Sequence, residues 1–440
     1  MPLELKTGAR DFAGRFKAFL DAKRETDSDV AATVAKIIAT VRKRGDAALV
    51  DYTRKFDRLK LDAKSLRLPE SEIAGASKKI DKDLLAALKL AAKRIEAYHT
   101  RQKPKDSRFT DKAGVELGAR WRAVEAAGVY VPGGLASYPS SALMNTIPAR
   151  VAGVERIAMM VPAPDGALNP LVLAAAEIAG VTEIYRIGGA QAIAALAYGT
   201  ETIKPVDVVV GPGNAYVAEA KRQVYGVVGI DMIAGPSEIV VVADKDNDPE
   251  WIAADLLSQS EHDRAAQSIL ITDDAALARK VVKAVTAQLA KLPRAEIARA
   301  SWKDHGAVIL TRSLDEAPAV VDAIAPEHVE LLVADPDAML ARIRNAGAAF
   351  LGPYTPEPIG DYVAGTNHVL PTGRRARFSS GLSVLDFMKR TSVVRCDPAS
   401  FSAIGPAAQR LAHAEGLGAH AESIAKRLAR RNAPSKGRSS

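Results

Sequence analysis

The adjacent acid and base at Glu327 and His328 are the residues in this sequence best suited to proton transfer. They follow Pro326 and precede the apolar run VELL. Because proline ends a helix, both side chains are expected just before a strand, where they could project into a cleft. Histidine titrates near neutral pH and glutamate below it unless its surroundings raise the pKa, so the pair offers two bases of different strength. An ordinary surface pair is the alternative interpretation.

A second candidate is the segment QSEHD at 259–263, which is predicted to close a helix. Gln259 and His262 are three residues apart, a spacing that places both on one helix face, where they could bind one metal ion. Because glutamine is an uncommon metal ligand, a capping or surface role for His262 is the alternative.

Two further segments carry titratable residues. Residues 352–387 are rich in glycine and proline and weakly periodic, yet they contain Asp361 and His368. A loop of this length within a compact domain is usually functional. Glu415 and His420 lie in a segment whose local sequence indicates only a surface helix.

Three glycine-rich segments each stand where a strand is predicted to run into a helix: GVYVPGG at 128–134, IGGAQAIAAL at 187–196 and GPGNAYVAEAK at 211–221. Glycine lets the backbone approach a ligand, and a helix N-terminus offers free N–H groups to phosphate. Dinucleotides bind at such strand ends, although tight turns need the same residues. The GxGxxG fingerprint is absent because Ala215 and Tyr216 stand where its last glycine would fall.

From about residue 124, short apolar strands alternate with helices, which predicts an α/β fold with two doubly wound parallel sheets. The strands expected in the first series are 128–131, 156–161, 183–187 and 206–210. Those expected in the second are 238–242, 268–272, 307–311, 329–333 and 348–351. Residues 26–120 are expected to be mostly helical, and the segment after about 382 to be helical with no sheet of its own.

Length and composition indicate a folded protein of two or more domains. The chain has 440 residues, 48% of them hydrophobic and 25% charged. The N-terminal segment has the pattern of an amphipathic helix rather than of a signal peptide, and apolar stretches are too short to span a membrane, which predicts a cytoplasmic protein. With Cys396 as the single cysteine, an internal disulfide and a thiolate metal cluster within one chain are excluded.

The net charge of +8 comes mainly from the C-terminus. Six basic residues follow Glu422, the last acid: Lys426, Arg427, Arg430, Arg431, Lys436 and Arg438. The rest of the chain is nearly neutral and shows no basic stripe with interleaved aromatic residues, so no nucleic-acid partner is expected. Nucleic-acid binding through this tail is the rival function from another class.

In their order along the chain, these segments resemble the histidinol dehydrogenase family. The order is YVPGG, GPGNAYV, AGPSE, SQSEHD, PEH and GDYVAGTNHVLPT, followed by Glu and His near the end. The resemblance runs from the N-terminal helix to about residue 425. It implies an NAD-dependent alcohol and aldehyde dehydrogenase that converts L-histidinol to L-histidine through a bound aldehyde, in the last two steps of histidine biosynthesis. It also implies one Zn²⁺ per subunit.

The resemblance assigns roles by motif, and no assigned position departs from the family's pattern. The residues implied to contact NAD are Tyr130, Gln191 and Asn214. Those implied to bind zinc are Gln259, His262, Asp361 and His420. Proton transfer is assigned to Glu327 and His328. Those implied to hold the substrate are Ser237, His368 and Glu415, together with Gln259, His262, His328, Asp361 and His420.

The family forms an intertwined homodimer with shared active sites, so Glu415 and His420 are expected to act in the partner's site rather than on a free surface. The implied domains are an N-terminal helical arm (1–25), a first α/β domain with the metal and acid/base residues (26–120 with 237–375), an NAD-binding α/β domain (121–236), a C-terminal helical domain (382–430) and a basic flexible tail (431–440).

The second oxidation requires a tetrahedral carbon, made either by a cysteine or by water. Cys396, in VVRCDP, has no histidine or glycine-rich strand end nearby in sequence, so a hydrate is favoured. We hypothesise that His328 takes the hydroxyl proton, Glu327 activates water to attack the aldehyde, and His328 then acts on the hydrate. Zinc, which lacks redox chemistry, would position the substrate's imidazole and amine.

A paralogous dehydrogenase acting on another small alcohol, such as a sulfonated diol, is the nearest rival. Glu415 discriminates between the two, because a carboxylate suits an ammonium group, whereas a sulfonate would call for Arg or Lys there.

Overall fold

The structure is a computed structural model that describes residues 1–22, 28–133 and 138–431. Gly134 of the first glycine-rich segment and residues 432–440 of the predicted tail lie outside the described residues. The chain forms two compact units. The first contains residues 1–103 and 124–387, and the second contains residues 104–123 and the chain from 388 onward.

The described residues form fourteen strands and seventeen α-helices. The strands are β1 (Leu3–Lys6), β2 (Ser107–Thr110), β3 (Glu116–Ala123), β4 (Ala126–Tyr130), β5 (Arg156–Met160), β6 (Glu183–Tyr185), β7 (Val208–Val210), β8 (Gly229–Ile230), β9 (Glu238–Ala243), β10 (Gln267–Thr272), β11 (Ala307–Leu310), β12 (His328–Leu332), β13 (Ala348–Leu351) and β14 (Met388–Arg395). The helices are α1 (Phe12–Asp21), α2 (Ser28–Arg44), α3 (Asp46–Phe56), α4 (Glu70–Ile73), α5 (Lys82–Thr100), α6 (Pro139–Ala152), α7 (Pro170–Ala179), α8 (Gly189–Tyr198), α9 (Ala215–Val224), α10 (Pro249–Ser260), α11 (Ala275–Leu289), α12 (Ala295–Asp304), α13 (Ala317–Ile324), α14 (Pro336–Leu340), α15 (Glu357–Ile359), α16 (Pro398–Ala414) and α17 (Gly418–Arg431). A short π-helix (Gly360–Ala364) follows α15.

Two parallel sheets lie in the first unit, as the alternating pattern predicts. The six-stranded sheet has the order β1-β11-β10-β9-β12-β13, and the five-stranded sheet has the order β6-β5-β4-β7-β8. The strand order reverses between β9 and β12 in the first sheet and between β4 and β7 in the second. In sheets of this type, such reversals open the crevices in which ligands bind.

Burial on both faces explains why β9 is almost continuously apolar. Ile239, Val241 and Ala243 enter one hydrophobic core, together with residues of α10 and α11. Val240 and Val242 enter a second core on the opposite face, together with residues of α13. A parallel strand covered on both faces requires this composition, because every side chain leaves water.

The second unit differs from the prediction. β14 pairs antiparallel with β3, and β2 pairs with the other edge of β3, so the expectation of no sheet after residue 382 is wrong. Six of the eight residues of β14 are exposed, and neither face of the strand is fully buried. Without a buried face, the sequence MKRTSVVR lacks the alternation that identifies a strand. The N-terminal segment also begins with a strand, β1, before its helix.

Within the described ranges, no helix combines the length and the apolar character needed to cross a membrane.

Candidate active site

The main chain of Glu238 holds both members of the Glu327 and His328 pair. β12 begins at His328 and runs parallel to β9, with His328 beside Ile239. The Glu238 N–H donates to Glu327 Oε2 at 2.9 Å. The Glu238 carbonyl accepts from His328 Nδ1 at 2.9 Å. Because a carbonyl only accepts, Nδ1 carries a hydrogen, which leaves Nε2 for chemistry.

The pair is not a surface feature. Glu327 is 6% exposed and His328 is 2% exposed. His328 Nε2 lies 3.7 Å from Asp361 Oδ1 and 4.0 Å from Glu357 Oε1. It has no hydrogen-bond partner within the described chain. The buried imidazole therefore directs its reactive nitrogen at two carboxylates.

His328, Glu357 and Asp361 could hold a metal ion, since their ligand atoms lie within 4.8 Å of one another. This set shares only Asp361 with the four zinc ligands implied by the family. Glu357 is a site residue that sequence reasoning missed. It lies in the glycine- and proline-rich segment that the sequence singled out, but no periodicity there separates it from its neighbours.

These four neighbouring groups, three buried and Asp361 partly buried, alter one another's pKa values. Burial raises the pKa of Glu327 to about 8, although the His328 charge opposes this. Burial lowers the pKa of His328, but Glu327, Asp361 and Glu357 together outweigh it and raise that pKa to about 10. Burial and the Asp361 charge raise the pKa of Glu357 to about 8. Burial also raises the pKa of Asp361, but the nearby charge of His328 outweighs this and holds that pKa well below its usual range. Three carboxyl groups around one imidazole therefore favour a positive charge at this position.

Gln259 has the environment expected of a ligand. It is fully buried in the last turn of α10, and neither its Oε1 nor its Nε2 has a hydrogen-bond partner in the described residues. A buried amide without partners is costly, so a bound group that engages it fits this position.

His262 does not share a helix face with Gln259, because α10 ends at Ser260. It lies in the following turn, where its N–H donates to the Gln259 carbonyl at 3.1 Å. The residue is exposed, yet desolvation still lowers the pKa of its imidazole, and the charge of Asp361 opposes this shift. The ring therefore lies within electrostatic reach of Asp361 despite the shorter helix.

His368 and Ser237 lie near the Glu327 and His328 pair. His368 Nδ1 donates to the Asp361 carbonyl at 3.1 Å, and its Nε2 lies 3.4 Å from Ser141 Oγ of α6. Burial lowers the pKa of His368, while the Asp361 charge opposes this. Ser237 is partly buried and directly precedes Glu238. The first unit thus contains Ser237, His368, Gln259, His262 and Asp361 together with Glu327 and His328.

The residues predicted to contact NAD lie beside the reversal of the five-stranded sheet. Tyr130 ends β4, and its hydroxyl accepts the Gly189 N–H at 3.0 Å. Burial raises its pKa to about 12, so the phenol stays neutral. Gln191 is buried with its Oε1 unpaired in the described chain. Asn214 caps α9, with Oδ1 accepting two backbone N–H groups at 3.1 Å.

Glu415 and His420 belong to the second unit. Glu415 directly follows α16, and His420 lies in the first turn of α17. Both residues are exposed, which leaves their side chains open to another molecule.

Two parallel sheets whose strand orders reverse, with a buried acid and base at the start of β12 beside one reversal, are the features of an α/β enzyme. The family model for histidinol dehydrogenase matches residues 20–428. The chain is 64% identical to histidinol dehydrogenase of Rhodospirillum rubrum over 431 residues, which cover 98% of this chain and 99% of that protein. It is 63% identical to that of Rhodopseudomonas palustris over 431 residues, covering 98% and 100%. The crystal structure of histidinol dehydrogenase from Elizabethkingia anophelis superposes with a TM-score of 0.94 at 35% identity, covering 98% of this chain and 99% of that one.

The chain belongs to the histidinol dehydrogenase family. Its function is histidinol dehydrogenase activity, an oxidoreductase step of histidine biosynthesis.

Gly347 tests how closely the backbone around Glu327 must fit. A Cβ at this position would lie 2.6 Å from the Glu327 carbonyl oxygen. We expect Gly347→Ala to push β13 away from Glu327, lowering the free energy of unfolding by about 1–3 kcal/mol and kcat by about tenfold. Urea unfolding and steady-state rates measure both. Gly14→Ala is the control, because no atom lies within 4 Å of its added Cβ; equal behaviour of the two variants would contradict the expectation.

A second carboxyl pair lies behind the site. Glu330 of β12 is fully buried and accepts the Glu357 N–H at 2.6 Å. Burial raises the pKa of Asp255 on α10 to about 6, although a hydrogen bond with Glu330 opposes this. Burial and the Asp255 charge raise the pKa of Glu330 well above its usual value. The two side chains therefore favour one shared proton.

This pair predicts a pH-dependent effect of Asp255→Asn. A carboxyl with a raised pKa in the folded state destabilises the fold as pH rises from about 4 to about 6, and the loss persists above that range. The variant should therefore gain about 1–3 kcal/mol at pH 7 and little at pH 4. Urea unfolding at both pH values measures this, with the exposed Asp304→Asn as control. An equal gain in the free energy of unfolding at both pH values would contradict a proton shared by Asp255 and Glu330.

Proposed function

We propose that the protein oxidises L-histidinol to L-histidine in the cytoplasm, through bound L-histidinaldehyde and its hydrate, with two NAD molecules per substrate. The observation that carries the proposal is the pair of hydrogen bonds by which the Glu238 main chain orients Glu327 and His328. NAD, when bound, accepts the hydride in each oxidation.

His328 is the base of both oxidations. Its Nδ1 hydrogen is committed to the Glu238 carbonyl, so Nε2 takes the proton from the substrate's hydroxyl. Asp361 and Glu357 lie 3.7 and 4.0 Å from Nε2 and stabilise the imidazolium that forms. After hydration, the same nitrogen takes a hydroxyl proton from the hydrate.

Glu327 acts between the two oxidations by removing a proton from the water that attacks the aldehyde. One of its oxygens is held by the Glu238 N–H. Burial raises its pKa to about 8, which makes it a stronger base than an ordinary glutamate. No cysteine is needed for this route.

Gln259, His262 and Asp361, with His420 of the partner subunit, are the proposed zinc ligands. When bound, zinc orients the substrate's imidazole and amine, and its charge offsets the carboxylates that raise the His328 pKa. The unpaired amide of buried Gln259 and the low pKa of Asp361 suit a cation at this position.

Substrate and NAD contacts follow the family's motifs. Ser237 and His368, with Glu415 of the partner subunit, would hold L-histidinol, which requires a homodimer with shared sites. Tyr130, Gln191 and Asn214 would hold NAD within the proposed NAD-binding domain, 121–236. The proposed metal and acid/base domain is 26–120 with 237–375, and residues 382–430 would complete the partner's site.

Counting NADH tests the reaction. The purified protein should form two NADH per L-histidinol consumed, with histidine as product. Glu327→Gln should keep most of the alcohol step but slow aldehyde oxidation by about 100-fold or more, so that the count falls towards one. Absorbance at the NADH band and separation of products measure both. Equal loss of the two steps would reject the assigned roles, and one NADH from the unchanged protein would reject the four-electron reaction.

Zinc removal tests the metal. Chelation should abolish activity, and added zinc should restore it, because substrate positioning depends on the ion. Metal analysis of Gln259→Ala should show weaker zinc retention than the unchanged protein, independently of activity. Full activity of protein shown to be metal-free would reject the zinc site.

A further inference from the structure

A buried ion pair lies beneath the loop that joins β7 to α9. Lys221, in the last turn of α9, is 1% exposed, and the Asp231 side chain, after β8, is fully buried. The Lys221 ammonium contacts the Asp231 carboxylate directly. No role in proton transfer or metal binding has been assigned to either residue.

Both members of the pair hold the same residue, Gly211. Lys221 Nζ donates to the Gly211 carbonyl at 3.0 Å. Asp231 Oδ2 accepts the Gly211 N–H at 2.8 Å. Asp231 Oδ1 also accepts the N–H of Met232 at 2.6 Å. The ion pair thus engages both polar groups of one peptide residue in the GPGN loop.

Gly211 has little freedom on its other side. Its φ is +112°, and a Cβ there would lie 2.1 Å from the Tyr130 carbonyl oxygen. The glycine therefore passes between the end of β4 and the ion pair. Its position determines how the loop approaches Tyr130 at one end and leads to Asn214 at the other.

Fold stability alone does not explain this pair. Burying two charges costs as much as their attraction returns, and apolar residues of similar size usually stabilise a core as well or better. Apolar residues, however, cannot bond the N–H and the carbonyl of Gly211. Hydrogen bonds between a charged pair and both polar groups of Gly211 suit a role in fixing the backbone conformation of that residue.

We infer that Lys221 and Asp231 are positioning residues for NAD: they fix the 211–214 loop so that Asn214 and Tyr130 present their groups to the dinucleotide. This rests on the proposed NAD contacts of those two residues. The pair acts through the loop and does not touch the cofactor.

Two double variants separate the hydrogen bonds from the charges. Lys221→Met with Asp231→Asn leaves no unpaired buried charge but removes the donor to the Gly211 carbonyl. Lys221→Gln with Asp231→Asn keeps a donor and an acceptor without charge. We expect the first to weaken NADH binding at least about tenfold and to raise KM for NAD, with KM for histidinol within about twofold. The second should recover most of the affinity.

NADH fluorescence titration of the purified protein and steady-state kinetics with each substrate varied measure these effects. Arg156→Met with Glu183→Gln is the matched control: it removes a partly buried ion pair of the same sheet, which does not contact the loop. This control should lower stability and leave NADH affinity unchanged. If the Met-containing variant does not fold, Lys221→Gln with Asp231→Leu, which keeps the donor but removes the acceptor of the Gly211 N–H without leaving a buried charge, should show the same split between the two KM values.

Asn214→Ser distinguishes failure of the inference from failure of the proposed NAD site. Serine keeps the helix cap of α9 and removes the amide group. Weaker NADH binding in Asn214→Ser with unchanged binding in both pair variants would overturn the positioning role alone. Unchanged binding in all three would overturn the NAD site and the inference together. If Arg156→Met with Glu183→Gln loses as much NADH affinity as the Lys221 and Asp231 variants, the Lys221–Asp231 pair has only a structural role.

Discussion

The proposed active site depends on one main-chain contact, the pairing of β9 with β12 at Glu238. The two ends of that residue's backbone hold an acid and a base at a defined separation, and no side chain of Glu238 is needed for this. Sheet register therefore sets the geometry of the proposed catalytic pair directly. A slip by one residue would turn His328 to the opposite face of the sheet and bury it in an apolar core. The apolar layers on both faces of β9 oppose that slip, so core packing and the geometry of the proposed catalytic pair depend on the same constraint.

The two sheets use opposite ends of their strands. Two of the residues proposed for NAD, Tyr130 and Asn214, stand at the carboxyl ends of β4 and β7, where the strand order reverses and where doubly wound sheets usually bind dinucleotides. Glu327 and His328 stand at the amino end of β12, beside the reversal of the other sheet. Ser141 of α6 and His368 connect elements of the two sheets at 3.4 Å. The proposed NAD site thus follows the usual rule for such sheets, and the proposed acid–base site does not.

Much of the fold could be predicted because burial leaves a pattern in the residues. Every strand of the two predicted series exists in the structure. No predicted strand end differs from the observed one by more than two residues. β14 could not be predicted, because an exposed strand has no apolar face. The helix end before His262 was misplaced, since SQSEHD has no strong stop signal. Glu357 was missed because its neighbours in PEPIGD follow no period. The roles of Glu415 and His420 came only from the ordered family motifs, since exposed residues on a helix carry no local sign of chemistry.

The pairing of β3 with β14 has a consequence for the order of events on the ribosome. β3 emerges early in synthesis, but its partner strand is made only after the whole of the first unit has been translated. At the usual rate of elongation this interval is on the order of ten seconds or more. During that time β3 presents an open edge with only β2 beside it, ready to pair with any exposed strand. The charged residues along β2 and β3, including Arg108, Glu116, Arg120 and Arg122, are of the kind that discourages such edge-to-edge pairing.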